Sequence, residues 1–478
     1  MSQGSDSSPG WMKLNAIGAG RRAYLTAKAI RDRVATNNMK KILIVSYHFP
    51  PDASVGGMRP AKFAKYLPQF GWEPIILTVK ERYHPLIDQS KLKGLGLAPR
   101  VYRTRMLPQP GRLYLALNIR LRKATPEPAN TPATTSSSNH RGIPSSIKRA
   151  LGSLECLPDD KQTWIPVAVP TAAKIVRQHN VDALLTTGPP MSCHVIGLLL
   201  KAVTGRRWIA DFRDPWLLNR EGSVLPSTAF SRAAEAWLEQ KTMLNADSVV
   251  FTTDRAQAYL HQRYPFLTSK SAVILNGYDP SDFNGGPIDA CPRHHDTFTL
   301  THTGTIYQQR SAEPLLRCLS DLIRAGRIPR ARVRVNFVGF TPTAVRERAT
   351  QLDLADVVTF IDFMKYEECV DLLHRSDVLL LFAQGQPLQI PTKLYDYIAV
   401  GRPILVFAED GATADLAGRL PHATVVGPED HERLEAKLKE MYIQFQRRVL
   451  AVKESATDGI HRELTKVELT RKLAHLLN

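Results

Sequence analysis

A lysine and an aspartate near the start of one predicted helix are the residues whose types and spacing best fit the binding of a charged ligand. The helix is predicted over 392–400, because Pro391 precedes its first turn and Gly401 follows its last residue. The free N–H groups of the first turn and the charge of Lys393 together favour an anion, most often a phosphate. Asp396, one turn further on, is placed to accept hydrogen bonds from a ribose. The same spacing is also typical of a solvated helix face.

A second cation follows a predicted strand that ends at Thr303. Gly304 lets the backbone approach a ligand there, and Arg310 can hold a diphosphate through two parallel hydrogen bonds. Arg310 and Lys393 would then be two fixed cations that stabilise a departing nucleoside diphosphate without a metal. The sequence shows no DxD motif placed for a divalent ion and no clustered His or Cys ligands. We therefore expect neither a metal nor a cofactor.

The first half of the chain has a glycine pair, Gly56 and Gly57, between its first predicted strand and first predicted helix. Glycines in that loop allow close approach of a sugar or phosphate, although such a pair is also typical of a simple turn. The pattern is not GxGxxG, and no acid follows about twenty residues later to bind a dinucleotide ribose. A dehydrogenase is therefore disfavoured.

Two further polar groups in the first half follow predicted strands, so we expect them to open onto one cleft. Asp211, Arg213 and Asp214 form one group, and these charges are costly to bury unless they are paired. A purely structural Asp–Arg pair is the alternative. His194, near a predicted helix start, is more typical of a structural residue alone, but beside this group it becomes a candidate contact to a sugar.

Short apolar strands alternate with helices twice along the 478 residues, which predicts an α/β protein with two Rossmann-like, parallel-sheet domains. A segment rich in Gly, Pro and His at 284–296 sets the boundary between the domains, and one rich in Pro, Thr, Ser and Asn sets the insertion. Met39, which precedes the first apolar strand, sets the end of the extension. The predicted parts are an extension at 1–38, a first domain at 39–283 with a disordered insertion at 124–146, a second domain at 297–450, and a C-terminal helical segment at 451–478. The extension has three open interpretations: a surface helix, a membrane-contacting helix or a misassigned start codon.

The net charge of +18 indicates an anionic partner. Between residues 91 and 150 there are twelve Lys or Arg residues and one acid, Glu127. No nucleic-acid-binding signature is present, so we expect no nucleic acid. An anionic membrane surface or an anionic lipid-linked acceptor fits better, and a solvated basic surface remains the alternative. The basic residues that favour membrane contact are Lys91, Lys93, Arg100, Arg103, Arg105, Arg112, Arg120, Arg122 and Lys123.

The five cysteines form no CxxC pair, and no apolar run is long enough to span a bilayer. The N-terminus also lacks the apolar region of a signal peptide. These features predict a cytoplasmic protein, with peripheral attachment at the inner membrane face as a further hypothesis.

Three motifs together resemble those of the family 4 glycosyltransferases. They are His48-Phe49-Pro50-Pro51, Asp211-Phe212-Arg213-Asp214-Pro215-Trp216, and Asn276-Gly277-Tyr278-Asp279 with Asp282-Phe283. The similarity runs from Met39 to about Val426. It implies a GT-B fold, with the acceptor site in the first domain, a nucleotide-sugar site in the second, and retention at the anomeric carbon.

The resemblance also implies site residues. In the first domain, Asp211, Asp214 and His194 would orient the acceptor or stabilise the positively charged sugar. The implied donor-binding residues are Gly57, Gly304, Arg310, Phe363, Met364, Gln389, Ile390, Thr392, Lys393 and Asp396. Many members carry two glutamates eight positions apart, where this chain has Leu388 and Asp396. A contact from Gln386 or Gln389 is the expected replacement for the first acid.

The predicted function is metal-independent, retaining transfer of a sugar of hexose type from a nucleotide-diphosphate sugar. The acceptor would be a glycan or a lipid-linked molecule in the synthesis of cell-surface polysaccharide or glycoconjugate. Two alternatives stay open: a sugar-nucleotide epimerase of related architecture, and a catalytically silent GT-B scaffold.

Overall fold

The described part of the chain forms two sheets in which every strand pair is parallel. The structure is a computed structural model that describes residues 39–93, 95, 99–109, 152–153, 155–221, 228–283, 296–306, 309–362, 364–450 and 459–478. The predicted extension at 1–38 and the predicted insertion at 124–146 lie outside these residues. The expected fold class, two Rossmann-like parallel-sheet domains in a GT-B arrangement, is confirmed.

We call the part built on the seven-stranded sheet the first lobe and the part built on the six-stranded sheet the second lobe. The strands of the first lobe are β1 (Lys40–Val45), β2 (Trp72–Val79), β3 (Arg100–Thr104), β4 (Ala183–Gly188), β5 (Arg207–Phe212), β6 (Ser248–Phe251) and β7 (Ser271–Val273). Those of the second lobe are β8 (Phe298–Thr303), β9 (Val333–Val338), β10 (Val358–Ile361), β11 (Val378–Phe382), β12 (Ile404–Phe407) and β13 (Ala423–Val426).

Helices connect the strands and cover the sheets. In the first lobe they are α1 (Met58–Tyr66), α2 (Ser90–Lys93), α3 (Ile165–His179), α4 (Ser192–Thr204), α5 (Trp216–Glu221), α6 (Ala229–Asn245) and α7 (Asp254–Arg263). The helices that follow are α8 (Glu313–Arg324), α9 (Thr343–Gln351), α10 (Tyr366–Arg375), α11 (Thr392–Val400), α12 (Ala412–Gly418), α13 (His431–Gln446), α14 (Ile460–Glu463) and α15 (Lys466–Leu477). Among the helices of the described residues, none combines the length and apolar character needed to cross a bilayer.

The strand order of each sheet reverses at one point, and that point creates a crevice. The orders are β3-β2-β1-β4-β5-β6-β7 and β10-β9-β8-β11-β12-β13. Connections leave in opposite directions from β1 and β4, and again from β8 and β11. Ligands of open parallel sheets bind beside the carboxyl ends of such strand pairs. The fold therefore offers one crevice in each lobe.

Helix α15 packs against the first lobe, although it follows the second lobe in the sequence. Its Leu469, Leu473 and Leu477 are buried in a core that also contains Ile44 and Ile209 of the first sheet. These apolar residues recur at helical spacing, so one face of α15 is buried. The backbone also connects the two segments, since Lys466 donates its N–H to the Tyr278 carbonyl at 2.8 Å.

Candidate functional site

Helix α11 occupies the predicted range and places Lys393 and Asp396 together. Gly401 ends the helix with a φ of +71°, a conformation that glycine adopts at little cost. Lys393 Nζ lies 3.5 Å from Asp396 Oδ2, and both side chains are partly exposed. Burial raises the pKa of the Asp396 carboxyl, and the charge of Lys393 opposes that rise. The predicted cation and carboxylate therefore meet at the start of one helix.

Gly304 lies beside Lys393 at the end of β8. Its φ of +129° is in the region that favours glycine. A Cβ atom at this position would lie 3.8 Å from Lys393 Cγ and 3.8 Å from His302 Nε2, and nothing else would be within 4 Å. A Cβ at residue 304 would therefore be in ordinary van der Waals contact with both side chains. The glycine thus leaves room beside the start of α11 at the crevice between β8 and β11.

Arg310 faces the same end of β8. Its Nη2 donates to Gln386 Oε1 at 2.7 Å. The positive charges of Arg310 and Lys393 both act on the His302 ring and contribute to lowering its pKa. The two cations predicted from separate loops are therefore brought to one place. Gln386, one of the expected replacements for the missing acid, holds Arg310 in the structure.

Of the remaining predicted donor residues in the second half of the chain, Phe363 lies outside the described part, and the others lie just before α10 or at the start of α11. Ile390 and Thr392 flank the start of α11, with Ile390 buried and Thr392 partly exposed. Met364 is partly buried ahead of α10. Phe363 lies outside the described residues, so its predicted contact to the base stays a prediction. Gln389 donates a hydrogen bond to Asp214 of the other lobe, and its predicted contact to the donor stays a prediction.

The two lobes touch along the loop that precedes α11. Gln389 Nε2 donates to Asp214 Oδ1 at 2.9 Å, and Thr253 Oγ1 donates to the Leu388 carbonyl at 2.6 Å. Arg255 of the first lobe binds acids of the second, with distances of 2.6 Å to Asp415 and 2.8 Å to Asp410. Leu388, which stands where many family members have an acid, thus contributes its carbonyl oxygen to the contact between lobes.

Asp211 is placed differently from the prediction that it faces an acceptor. It lies inside β5 and is 1% exposed. Arg59 binds both of its carboxylate oxygens, with Nη2 2.8 Å from Oδ1, and Thr187 Oγ1 donates to Oδ2 at 2.8 Å. Burial raises the pKa of Asp211, but the Arg59 pair and the Thr187 hydrogen bond outweigh burial and hold the pKa below its usual value. The carboxylate is a buried structural partner, as the alternative interpretation expected.

His194, another predicted catalytic residue, is also buried. Asp214, the third of them, lies at the contact between the lobes. The Nδ1 atom of His194 lies 2.9 Å from Thr186 Oγ1, and its ring stacks on Phe212 at 4.2 Å. Burial lowers the pKa of His194 to about 3, so the ring is neutral at physiological pH. The residue belongs to the packing between α4 and the sheet, and it does not open onto the cleft in this conformation.

Arg213 ties together two loops at the crevice of the first lobe. Its Nη1 donates to the Gly56 carbonyl at 2.6 Å, its Nε donates to the Gly188 carbonyl at 3.2 Å, and its Nη2 donates to the Pro189 carbonyl. Gly57, the predicted site glycine, closes the short 3₁₀ turn that precedes α1. The arginine of the Asp-Phe-Arg-Asp group therefore positions the Gly-Gly loop.

Lys91 is a residue at the cleft that the sequence analysis assigned only to a basic surface. Its Nζ donates to the carbonyls of Ala53 at 2.5 Å and Ser54 at 3.3 Å. Burial lowers the pKa of Lys91, and the Lys393 charge adds to this lowering against the acids Asp88 and Asp52. A lysine of the first lobe thus lies within electrostatic reach of Lys393. No motif pointed to this arrangement, because it depends on how the lobes meet.

Three side chains in the first lobe lie close enough to share a metal ion. One ligand atom from each of His48, Asp52 and His84 falls within 4.8 Å of the others. Hydrogen bonds join two of the three side chains, since Asp52 Oδ2 lies 2.6 Å from His48 Nδ1 and accepts from Ser54 Oγ at 2.5 Å. Neither ring nitrogen of the buried His84 has a hydrogen-bond partner among the described residues. These ligands are not clustered in the sequence, because His84 lies far from His48 along the chain.

Two family models match the chain, one in each half. The model described as Glycosyltransferase Family 4 matches residues 131–282, and the model described as Glycosyl transferases group 1 matches residues 296–451. The first match ends within the first lobe, and the second contains all six strands of the second sheet. A comparison with curated proteins finds no match.

Solved structures share the fold over nearly the whole chain. A glycosyltransferase from Rickettsia africae ESF-5 has 14% identity and a TM-score of 0.58, covering 92% of this chain and 98% of its own. A sucrose-phosphate synthase from Thermosynechococcus elongatus has 14% identity and a TM-score of 0.57, covering 91% and 98%. WaaG, a glycosyltransferase involved in lipopolysaccharide biosynthesis, has 13% identity and a TM-score of 0.54, covering 91% and 99%.

Proposed function

Because this chain is a glycosyltransferase with the GT-B fold, we propose that it uses a nucleotide-diphosphate sugar bound at the crevice of the second lobe. The observation that carries the proposal is the convergence of Lys393, Arg310 and the start of α11 beside Gly304, which has no side chain to cover them. Two cations and free helix N–H groups at one strand switch point are suited to a diphosphate. Asp396 is the proposed ribose acceptor.

In the proposed reaction the oxygen of the acceptor hydroxyl forms a bond to the anomeric carbon while the bond between that carbon and the diphosphate oxygen breaks. The hydroxyl proton passes to the departing diphosphate, which leaves as the free nucleoside diphosphate. Lys393 and Arg310 stabilise the negative charge that develops on the leaving diphosphate. The acceptor attacks the anomeric carbon from the same face from which the leaving group departs, so the configuration at that carbon is retained. Asp214, at the contact between lobes, is the proposed polar contact for the acceptor or the developing positive charge. Binding both substrates between lobes also orients them for attack.

The proposed acceptor is a glycan or a lipid-linked molecule of cell-surface polysaccharide or glycoconjugate synthesis. Two proteins of similar fold act on such material, WaaG in lipopolysaccharide biosynthesis and WaaB as a lipopolysaccharide outer core galactosyltransferase. The positive charge of the chain supports an anionic acceptor, since opposite charge steers and concentrates such a molecule.

The proposal is tested by thermal unfolding of the full chain with UDP, GDP, ADP and dTDP. Binding to the folded state raises the midpoint by mass action, so one nucleotide should raise it well above the others. The sugar derivatives of that nucleotide are then incubated with and without lipid-linked acceptors. Product that requires acceptor supports transfer. No midpoint shift with any nucleotide contradicts the proposal, and conversion of the donor alone indicates an epimerase.

We expect transfer activity to survive EDTA, because positive side chains supply the charge that a divalent ion would otherwise provide. The measurement compares initial rates of product formation with chelator, without chelator, and after addition of manganese or magnesium. Asp52→Asn serves as a companion variant, because it removes the carboxylate from the His48, Asp52 and His84 group. Activity that disappears with EDTA and returns with metal would refute metal independence.

We also propose that the chain attaches peripherally to an anionic bilayer through the outer face of α6. Phe230, Trp237 and Leu244 lie seven residues apart on this helix and are exposed. The two acids of the helix, Glu235 and Glu239, are buried, so its accessible charges are positive. An apolar stripe with interfacial Trp and Phe beside positive charge is typical of helices that lie on membranes. Of the basic residues first proposed for this role, Lys91 and Arg103 instead bind backbone carbonyls.

Membrane attachment predicts binding to vesicles that contain anionic lipid, with little binding to neutral vesicles. Binding should weaken as salt rises, because screening removes the electrostatic part. The measurement is co-sedimentation across a salt series. Trp237→Ser combined with Phe230→Ser should reduce the bound fraction, whereas Tyr366→Ser, an exposed aromatic on the second lobe, is the matched control. Equal binding to both lipid types, or none to either, would contradict the proposal.

A further inference from the structure

A histidine lies beneath the crevice of the second lobe and takes no part in the proposed transfer step. His302 is the penultimate residue of β8 and is 2% exposed. Its ring spans the strand switch point, because Nδ1 lies 2.9 Å from the carbonyl oxygen of Leu380 on β11. The residue therefore sits where the sheet offers its ligand-binding crevice.

The hydrogen bond to Leu380 fixes the protonation of the ring. A carbonyl oxygen only accepts, so Nδ1 carries a proton and donates it. In the neutral ring Nε2 is then a lone-pair acceptor, and this buried atom has no hydrogen-bond partner among the described residues. Buried polar atoms in proteins are usually paired, so the exception calls for an explanation.

The unpartnered atom borders the proposed diphosphate space. Nε2 lies 3.8 Å from where a Cβ of residue 304 would be, and so does Lys393 Cγ. The histidine and the lysine thus flank the same opening. The charged groups that act on the ring are Arg310 and Lys393, and both are positive. The other packed faces are apolar, with Phe382 at 5.0 Å and Phe337 at 6.1 Å between ring centroids.

We propose that His302 is a further diphosphate-binding residue, which takes a proton from solvent when the ligand binds and donates Nε2–H to a phosphoryl oxygen. The inference rests on the proposed function and deepens it. A phosphoryl oxygen without a proton cannot pair with the Nε2 lone pair, but it pairs well with the N–H of an imidazolium. The incoming negative charge offsets Arg310 and Lys393, which oppose protonation in the free protein.

The direction of the pH dependence follows. In the free protein, burial and then the two cations lower the pKa of His302 to about 4, so the ring is neutral at pH 6 to 8. The bound anion raises the pKa, so binding takes up protons. Affinity therefore falls as pH rises through the pKa of the bound state. The ligand phosphates titrate as well, and that contribution is common to the wild type and to a variant without the imidazole.

Two substitutions separate the proposed role from a structural one. His302→Asn keeps an N–H near the position of Nδ1, where it can donate to Leu380, and removes Nε2. His302→Phe removes both nitrogens and keeps an aromatic ring between the phenylalanines. If His302 only supports the sheet, His302→Asn should bind diphosphate like the wild type. If Nε2 binds the ligand, affinity should fall about 10- to 100-fold at pH 6 in both variants, as for loss of a hydrogen bond to a charged group.

The experiment is titration calorimetry of the full chain with pyrophosphate and with UDP, GDP, ADP and dTDP, in buffers of different ionisation enthalpy. The wild type should take up more protons on binding than His302→Asn, and this difference should shrink at high pH. Equal affinity and equal proton uptake in wild type and His302→Asn would overturn the role of His302 while leaving the proposed function intact. Failure of every diphosphate to bind the wild type would overturn the proposed function itself.

Discussion

Replacement of Lys393 or Arg310 by alanine is expected to lower the turnover of sugar transfer by about 10²- to 10³-fold, the usual cost of removing one group that stabilises transition-state charge. Lys393 lies at the start of α11 and Arg310 is held towards the same crevice by Gln386. Both charges lie beside the proposed position of the leaving diphosphate. Turnover measured with saturating donor reports how well each variant stabilises the charge that develops on the diphosphate. Calorimetry with the nucleoside diphosphate reports the affinity for that ligand.

The matched controls are Arg330→Ala and Lys437→Ala, which remove partly exposed, paired cations elsewhere in the second lobe. These variants should keep turnover close to the wild-type value, because surface ion pairs contribute little. Thermal unfolding of all four variants establishes that they are folded. Near-wild-type turnover in both Lys393→Ala and Arg310→Ala would remove these residues from the donor site, even if the nucleotide still bound.

Replacement of Arg59 by methionine is expected to lower the free energy of unfolding by about 3–5 kcal/mol, since it leaves the Asp211 carboxylate buried without its partner. Arg59 also donates to the carbonyls of Ile274 and Leu275, so those acceptors lose their donor too. Chemical denaturation followed by circular dichroism measures the change. Arg330→Met removes an exposed pair with Asp353 and Asp356, and should cost about 1 kcal/mol or less.

A second substitution separates the charge of Asp211 from its packing. Arg59→Met combined with Asp211→Asn removes both charges, and the double variant should recover part of the stability lost by Arg59→Met alone. If Arg59→Met lowers the free energy of unfolding no more than Arg330→Met does, the buried Arg59–Asp211 pair is not a main structural contact.

The second-lobe crevice was predictable because its elements are local in the sequence. Pro391 and Gly401 mark the ends of α11, and the helix places Lys393 and Asp396 one turn apart whatever else surrounds them. Gly304 directly follows the predicted strand 298–303, so its position at the end of a strand could be predicted from the sequence. Alternation of buried strands and helices was sufficient for the fold class, since that pattern leaves few topologies.

The first-lobe residues were harder to place because their environment depends on distant partners. Asp211 was expected at the end of a strand and open to the cleft with Arg213 and Asp214, but as the penultimate residue of β5 it is buried inside the sheet. Arg59, which binds Asp211, lies 152 residues earlier in the chain. His302 was missed because only the pairing of β8 with β11 reveals that one ring nitrogen has a partner and the other has none.

The position of α15 has a consequence for how the protein is made. Leu469, Leu473 and Leu477 complete the apolar core of the first lobe, yet they follow the whole second lobe in the sequence. A ribosome synthesises the N-terminal part first, and domains generally fold in that order. Here the first lobe keeps one face of its sheet partly uncovered until residues beyond 466 have emerged. Its final packing must therefore wait for the last helix, so a chaperone that shields apolar surface would act longest on the lobe that is synthesised first.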